Sequence, residues 1–260
     1  MLVDSHCHLD FPELAAQLDS VLALMRDNQV THALCVSVKL EDFPQVRALA
    51  EHHSHLYGSV GVHPDYEGVE EASVERIVEL ANHSKIIAVG ETGLDYYRLK
   101  GDLEWQRERF RCHIRAARRC RKPLIIHTRS AAEDTLHVMR EEKAGEVGGV
   151  MHCFTESWEV AEAAMGLGFY ISFSGIVTFK NASALKEVAR KVPLERMLIE
   201  TDSPYLAPVP YRGKLNQPGL VKHVAEEIAR LRNIPFDEVA HATTRNFHEL
   251  FGIKGNEPHA

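Results

Sequence analysis

The chain of 260 residues is 45% hydrophobic, enough for a sizeable core within one domain spanning 1–260. Its 30 Lys and Arg against 37 Asp and Glu give a formal charge of −7, the wrong sign for gripping long duplex nucleic acid through the general surface. No run approaches the length of a bilayer span, the opening Met1-Leu2-Val3-Asp4 carries no basic and apolar leader, and the odd count of 5 cysteines without a Cys-x-x-Cys pair argues against a disulfide framework, so a soluble, cytoplasmic monomer is expected, with no membrane association and no obligate protein partner.

In chain order, β-type runs begin near Leu2, Ala33, Tyr57, Ile86, Leu124, Gly149, Tyr170 and Met197. Between them lie amphipathic stretches such as Leu14 to Asn28, Val74 to Asn82, Trp105 to Arg121 and Val160 to Leu167, and two more, Leu220 to Leu231 and Phe236 to Phe251, close the chain. Within the second of these stretches Val74, Ile77, Val78 and Ala81 follow the i, i+3, i+4, i+7 spacing of a helix that covers a sheet with one face. Gly255 to Ala260 reads as a frayed tail.

The runs deliver metal-ligand residues at their carboxyl ends. His6 and His8 follow Leu2-Val3, and side chains two apart on a strand share a face. The run Ile86 to Gly90 ends at Glu91, Leu124 to Ile126 at His127, Gly149 to Met151 at His152, and Met197 to Thr201 at Asp202. That makes a ligand set of His6, His8, Glu91, His127, His152 and Asp202, and Gly61-Val62-His63-Pro64 adds His63 at the same rim.

An α/β fold, a single (β/α)8 TIM barrel, brings all of these ends to one face. An open doubly wound sheet, the alternative, would hold His6 and Asp202 apart. Cys7 and Cys153 neighbour proposed ligands, but strand alternation turns each away from the face its histidine uses. The segment Arg107 to Lys122, with eight basic residues against Glu108, reads as a solvated helix face rather than a nucleic-acid track.

The motifs Asp4-Ser5-His6-Cys7-His8-Leu9-Asp10, Gly61-Val62-His63-Pro64, Gly90-Glu91-Thr92-Gly93-Leu94-Asp95, His127-Thr128-Arg129, His152-Cys153-Phe154 and Glu200-Thr201-Asp202-Ser203-Pro204-Tyr205 span nearly the whole chain. Together they resemble the TatD family of metal-dependent deoxyribonucleases, in its bacterial YcfH-type branch, among the amidohydrolase-like barrels. The resemblance implies two divalent metal ions, one held by His6, His8, Asp202 and Glu91, the other by Glu91, His127 and His152, with Glu91 as bridge. Histidine-rich ligands suit Zn²⁺, Mn²⁺, Fe²⁺ or Ni²⁺, and Mg²⁺ is the hard-ion alternative.

The implied activity is phosphodiester hydrolysis, exonucleolytic on single-stranded DNA, by a two-metal-activated water. Asp202, Glu91 and His63 are then the catalytic candidates. His63 would protonate the leaving oxygen or hold a phosphate oxygen, or else serve as a structural histidine before Pro64. Candidates for substrate contact are His63, Asp95, Tyr96, Arg129 and Tyr205, with Asp95 also placed to orient a ligand histidine. Tyr211, Arg212 and Lys214 in the loop from Ser203 to Pro218 would form a lid or a wall for the strand. The same metals polarise carbonyls, so hydrolysis of an ester, amide or aminoacyl-tRNA is the competing reading.

Overall fold

Eight parallel strands pair in chain order: β1 (Leu2–Cys7), β2 (Val30–Cys35), β3 (Leu56–Val60), β4 (Ile86–Asp95), β5 (Leu124–Arg129), β6 (Gly149–Met151), β7 (Phe169–Phe173) and β8 (Met197–Ile199). The sheet closes on itself just beyond β8. Cys7 bridges Ser203, the Asp202 N–H donates to the His6 carbonyl at 2.9 Å, and the His8 N–H donates to the Ser203 carbonyl at 2.8 Å. An open sheet is thereby ruled out, because its first and last strands could not exchange these bonds. The structure is a computed structural model and describes residues 1–253, so the expected tail at Gly255 to Ala260 lies outside the described residues.

Strand alternation divides the core in two. Val3, Leu34, Ile87, Ile125, Val150, Tyr170 and Leu198 form one buried set with Phe247 and Phe251 of the final helix, Phe236–Phe251. Two residues further along the same face, Ile125 leads to His127 and Val150 to His152, so this set fills the barrel beneath the site. The opposite faces, among them Leu124, Ile126, Met151, Phe169 and Ile171, pack against the helices as the larger cluster. The ligands therefore stand on a packed floor.

Most expected elements appear with small shifts. β2 starts earlier than expected, at Val30, because the polar residues Thr31 and His32 still join the ladder through their backbones, His32 opposite Val3. The stretch from Leu14 to Asn28 is two helices, Pro12–Ala15 and Leu18–Asp27. Gln17 leaves helical geometry between them, and its side-chain amide donates to the Glu13 carbonyl at 2.9 Å. Helices at Phe43–His52, Ala132–Glu141 and Ser183–Lys191 complete the alternation.

Candidate metal centre

Glu91 is placed by a local departure from regular strand geometry. Contrary to expectation it lies inside β4 rather than at its end, where the register with β5 shifts between Val89 and Thr92. Gly90 and Gly93 flank it at φ +144° and +135°. A β-carbon at Gly93 would lie 2.0 Å from the His127 carbonyl oxygen, and one at Gly90 2.7 Å from that of Ile125. Only glycine lets β4 press this close to β5, and the kink aims Glu91 inward. Asp202 is re-aimed in a similar way, with φ +55° in the turn that closes the barrel, a conformation that a non-glycine residue adopts at a cost.

The six ligand candidates converge. Glu91 Oε2 lies 3.3 Å from His6 Nε2, while its Oε1 lies 2.8 Å from His152 Nε2, 3.1 Å from His127 Nδ1 and 3.2 Å from His63 Nε2. On the Oε2 side, Asp202 Oδ1 stands 3.4 Å from His8 Nε2 and 3.7 Å from His6 Nε2, and the two imidazole nitrogens are 3.3 Å apart. Candidate ligand atoms group as His6, His8 and Glu91, as His6, His152 and Asp202, and as His63, Glu91 and His127. The third group is new: His63, expected to serve catalysis or substrate, also stands among the ligand atoms.

The hydrogen-bond partners of these histidines fit a cation between them. His8 Nδ1 bonds the Val36 carbonyl at 2.9 Å, His63 Nδ1 the Asp65 carboxylate at 2.6 Å, His127 Nε2 Asp95 at 3.0 Å and His152 Nδ1 Glu200 at 3.1 Å. Each partner is an acceptor and takes the ring N–H on the far side, which at His8, His127 and His152 leaves the lone pair of the other nitrogen facing the centre. Lone pairs and carboxylate oxygens that converge in this way repel one another unless a positive charge joins them. His152 Nε2 is buried and makes no hydrogen bond despite lying 2.8 Å from Glu91 Oε1, consistent with a ligand nitrogen.

The electrostatics carry the same sign. Burial works against charge on Glu91, yet His152 and His63 beside it hold its carboxyl well below the usual range. Asp202 is likewise lowered despite burial, chiefly through His8 and His152. The neighbouring acids in turn overcome burial at His63, raised to about 9 by Glu91 and Asp65, and at His152, raised by Glu91 and Glu200. These are the fields a divalent cation would satisfy.

Above the ligands opens a cavity of about 500 Å³ lined by Phe11, Tyr66, Arg98, Arg129, Cys153 and Tyr205 among others. Arg129 lies over the ring of Tyr97 at 3.9 Å, and Phe11 stacks on His8 at 4.7 Å with Tyr205 edge-on to it. Two expectations are corrected. Tyr96 does not line the cavity: the chain turns after Asp95, and the Tyr96 hydroxyl instead donates to Asp134 at 2.7 Å on the outer helix layer. Cys153 does line the cavity, because β6 ends at Met151 and the backbone turns to φ +42° at Cys153, which breaks the alternation. Cys7 faces the outer layer, its thiol on the Leu34 carbonyl.

Asp95 is buried, one oxygen on His127 and the other on the Tyr97 N–H at 2.8 Å, so it orients a histidine from the wall of the cavity. Glu200 and Asp65, which do the same for His152 and His63, were not singled out from the sequence, although Glu200 opens the motif that ends in Tyr205. The basic helix Glu104–Cys120 is only in part a solvated face. Arg107, Arg111, Arg115, Arg118 and Arg119 pair with carboxylates on their own or neighbouring helices. Its inner face, Gln106, Arg109 and His113, is buried and braces the site. Gln106 bonds the Asp95 backbone and the Pro64 carbonyl, Arg109 donates to the His63 carbonyl at 3.0 Å, and His113 Nε2 accepts the Val62 N–H at 3.0 Å.

Known proteins share this sequence and fold. The family model for TatD related DNase matches residues 3–252. The chain belongs to the TatD family. It is 48% identical to the metal-dependent hydrolase YcfH of Escherichia coli strain K12 over 97% of this chain and 96% of that one. It is 42% identical to the metal-dependent hydrolase YabD of Bacillus subtilis strain 168, over 97% of this chain and 100% of that one. The crystal structure of YjjV, a TatD homologue from Escherichia coli K12, superposes with a TM-score of 0.90 at 31% identity, covering 97% of this chain and 98% of that one. Among the described residues of this TatD chain, no helix is long and apolar enough to cross a membrane.

Proposed function

We propose that this TatD protein is a phosphodiesterase that removes nucleotides from the end of single-stranded DNA, with two divalent cations held around Glu91. As a TatD member it is a metal-dependent hydrolase. The observation that carries the finer reading is the division of the Glu91 carboxylate, Oε2 toward His6 and Oε1 toward His127 and His152, at the base of a cavity flanked by Arg98 and Arg129. A carboxylate can join two cations where an imidazole serves one, and guanidinium groups match phosphate oxygens.

Divalent cations in such a site supply Lewis acidity and neutralise charge on the phosphoryl group. The protein's own groups do the rest. Asp202, ionised and reaching the cavity, takes a proton from the attacking water as its oxygen approaches phosphorus. His63, its ring fixed by Asp65, gives the Nε2 proton to the leaving oxygen as the phosphorus–oxygen bond breaks. Arg129 and Arg98 hold the phosphate oxygens at the mouth, and Phe11, Tyr66 and Tyr205 offer rings to a base. The cavity suits a strand end, and the paired arginines of the outer helix leave no broad basic face for a duplex.

The experiment strips the protein of metal, reconstitutes it separately with Mg²⁺, Mn²⁺ and Zn²⁺, and follows cleavage of end-labelled single-stranded DNA, with Asp202→Asn as the contaminant control. Product ladders that need both metal and Asp202 are expected. Intact DNA with every metal, alongside hydrolysis of carboxylic esters or aminoacyl-tRNA, would replace this reading with carbonyl chemistry.

A further inference from the structure

The loop that follows β8 carries cations without acids, unlike the outer helix. Arg212 and Lys214 are exposed and have no carboxylate within ion-pair distance among the described residues, and neither has Lys180 in the segment after β7. Arg212 and Lys214 sit on aromatic rings instead. The Arg212 guanidinium lies 3.6 Å from the centroid of Phe179, and Lys214 Nζ 5.6 Å from that of Tyr211. Exposed guanidinium and ammonium groups stacked on rings leave their charge free for an anion and offer a π-face beside it.

The loop is fixed in place. Asn216 Nδ2 donates to the Thr201 carbonyl at 2.9 Å and to that of Tyr205 at 2.6 Å, and the Val209 N–H donates to Thr178 Oγ1 at 2.9 Å. Held this way, the cations stand above β7 and β8. Arg129 and Tyr97 form a similar stacked pair above β4 and β5, and in a barrel of strand order β1 to β8 the two sets are three strands apart around the mouth. Leu206 and Tyr205, at the near end of the loop, line the cavity, whereas Arg212, Lys214 and Phe179 lie outside it.

We infer that Phe179, Arg212 and Lys214, with Lys180, form a second clamp for the backbone of a single-stranded nucleic acid whose end occupies the cavity. The inference rests on the phosphodiesterase reading and deepens it: the cavity takes the terminal nucleotide, and the clamp takes phosphates several positions further along. A strand is the occupant that suits the surface, since regularly spaced phosphates and bases match alternating cations and rings.

The test measures binding of dye-labelled, phosphorothioate-linked oligothymidylate by anisotropy, on metal-loaded protein, for strands of about four and about twenty nucleotides, lengths that fill the cavity or exceed it. Cleavage of ordinary strands of both lengths is followed in parallel. The longer strand is expected to bind tighter, and Arg212→Gln with Lys214→Gln to weaken it roughly tenfold while lowering the slope of log Kd against log salt by about 0.7 per cation removed. Arg212→Lys should keep the salt slope, which guards against a misfolded loop, and Arg118→Gln on the outer helix should change neither quantity. Equal affinity for both lengths, or an unaltered salt slope in the double variant, overturns the clamp. Length-dependent binding without cleavage keeps the clamp and removes DNA hydrolysis; cleavage without length dependence does the reverse.

Discussion

His113 couples acid stability to the rim of the site. Its side chain is fully buried, its Nε2 accepts the Val62 N–H at 3.0 Å, and its Nδ1 bonds the Arg109 carbonyl at 2.8 Å. Burial, with Arg109 nearby, lowers it from the ordinary 6.5 to about 4, so the folded protein holds it neutral. A depressed folded pKa means that the unfolded chain binds the proton more readily. The stabilisation is thus present above about pH 6.5 and is lost as pH falls toward 4. With these two values, the loss between about pH 7 and pH 5 comes to about 2 kcal/mol, a sizeable part of the stability of an ordinary domain. The assay is urea unfolding at several pH values for the parent and His113→Gln, each metal-loaded. The variant starts less stable near neutral pH, and the gap narrows by about 2 kcal/mol toward pH 5 because Gln does not titrate there. A gap that stays constant across this range would show that His113 does not titrate as argued.

Three further outcomes are expected. Glu91→Ala should abolish turnover and lower bound metal by elemental analysis, and full activity at unchanged stoichiometry would remove it from the bridge. Glu200→Gln, which removes the negative charge of the acceptor on His152 Nδ1 while keeping its shape, should weaken metal affinity about 10- to 100-fold in a chelator competition, and unchanged affinity would leave Glu200 a purely structural residue. Arg129→Ala should raise KM for single-stranded DNA with metal content unchanged; a constant KM would return Arg129 to simple packing on Tyr97.

The alternation of apolar runs and amphipathic stretches determined the eight-stranded barrel, because strand and helix periods are local properties of the chain. It also determined the rim at which His6, His8, His127 and His152 meet, since each lies at or near the carboxyl end of a strand. The placements that went astray lie where the backbone leaves those periods: Cys153 enters the cavity at φ +42°, Glu91 sits inside a kinked β4, and Tyr96 turns outward to Asp134. Only the tertiary structure decided which groups stand behind the ligands. Glu200 behind His152, and His113 with Arg109 under the His63 segment, are joined by closure of the barrel and docking of a helix, and no spacing in the sequence encodes a contact between elements that are far apart along the chain, whereas Asp65 reaches His63 from two residues away.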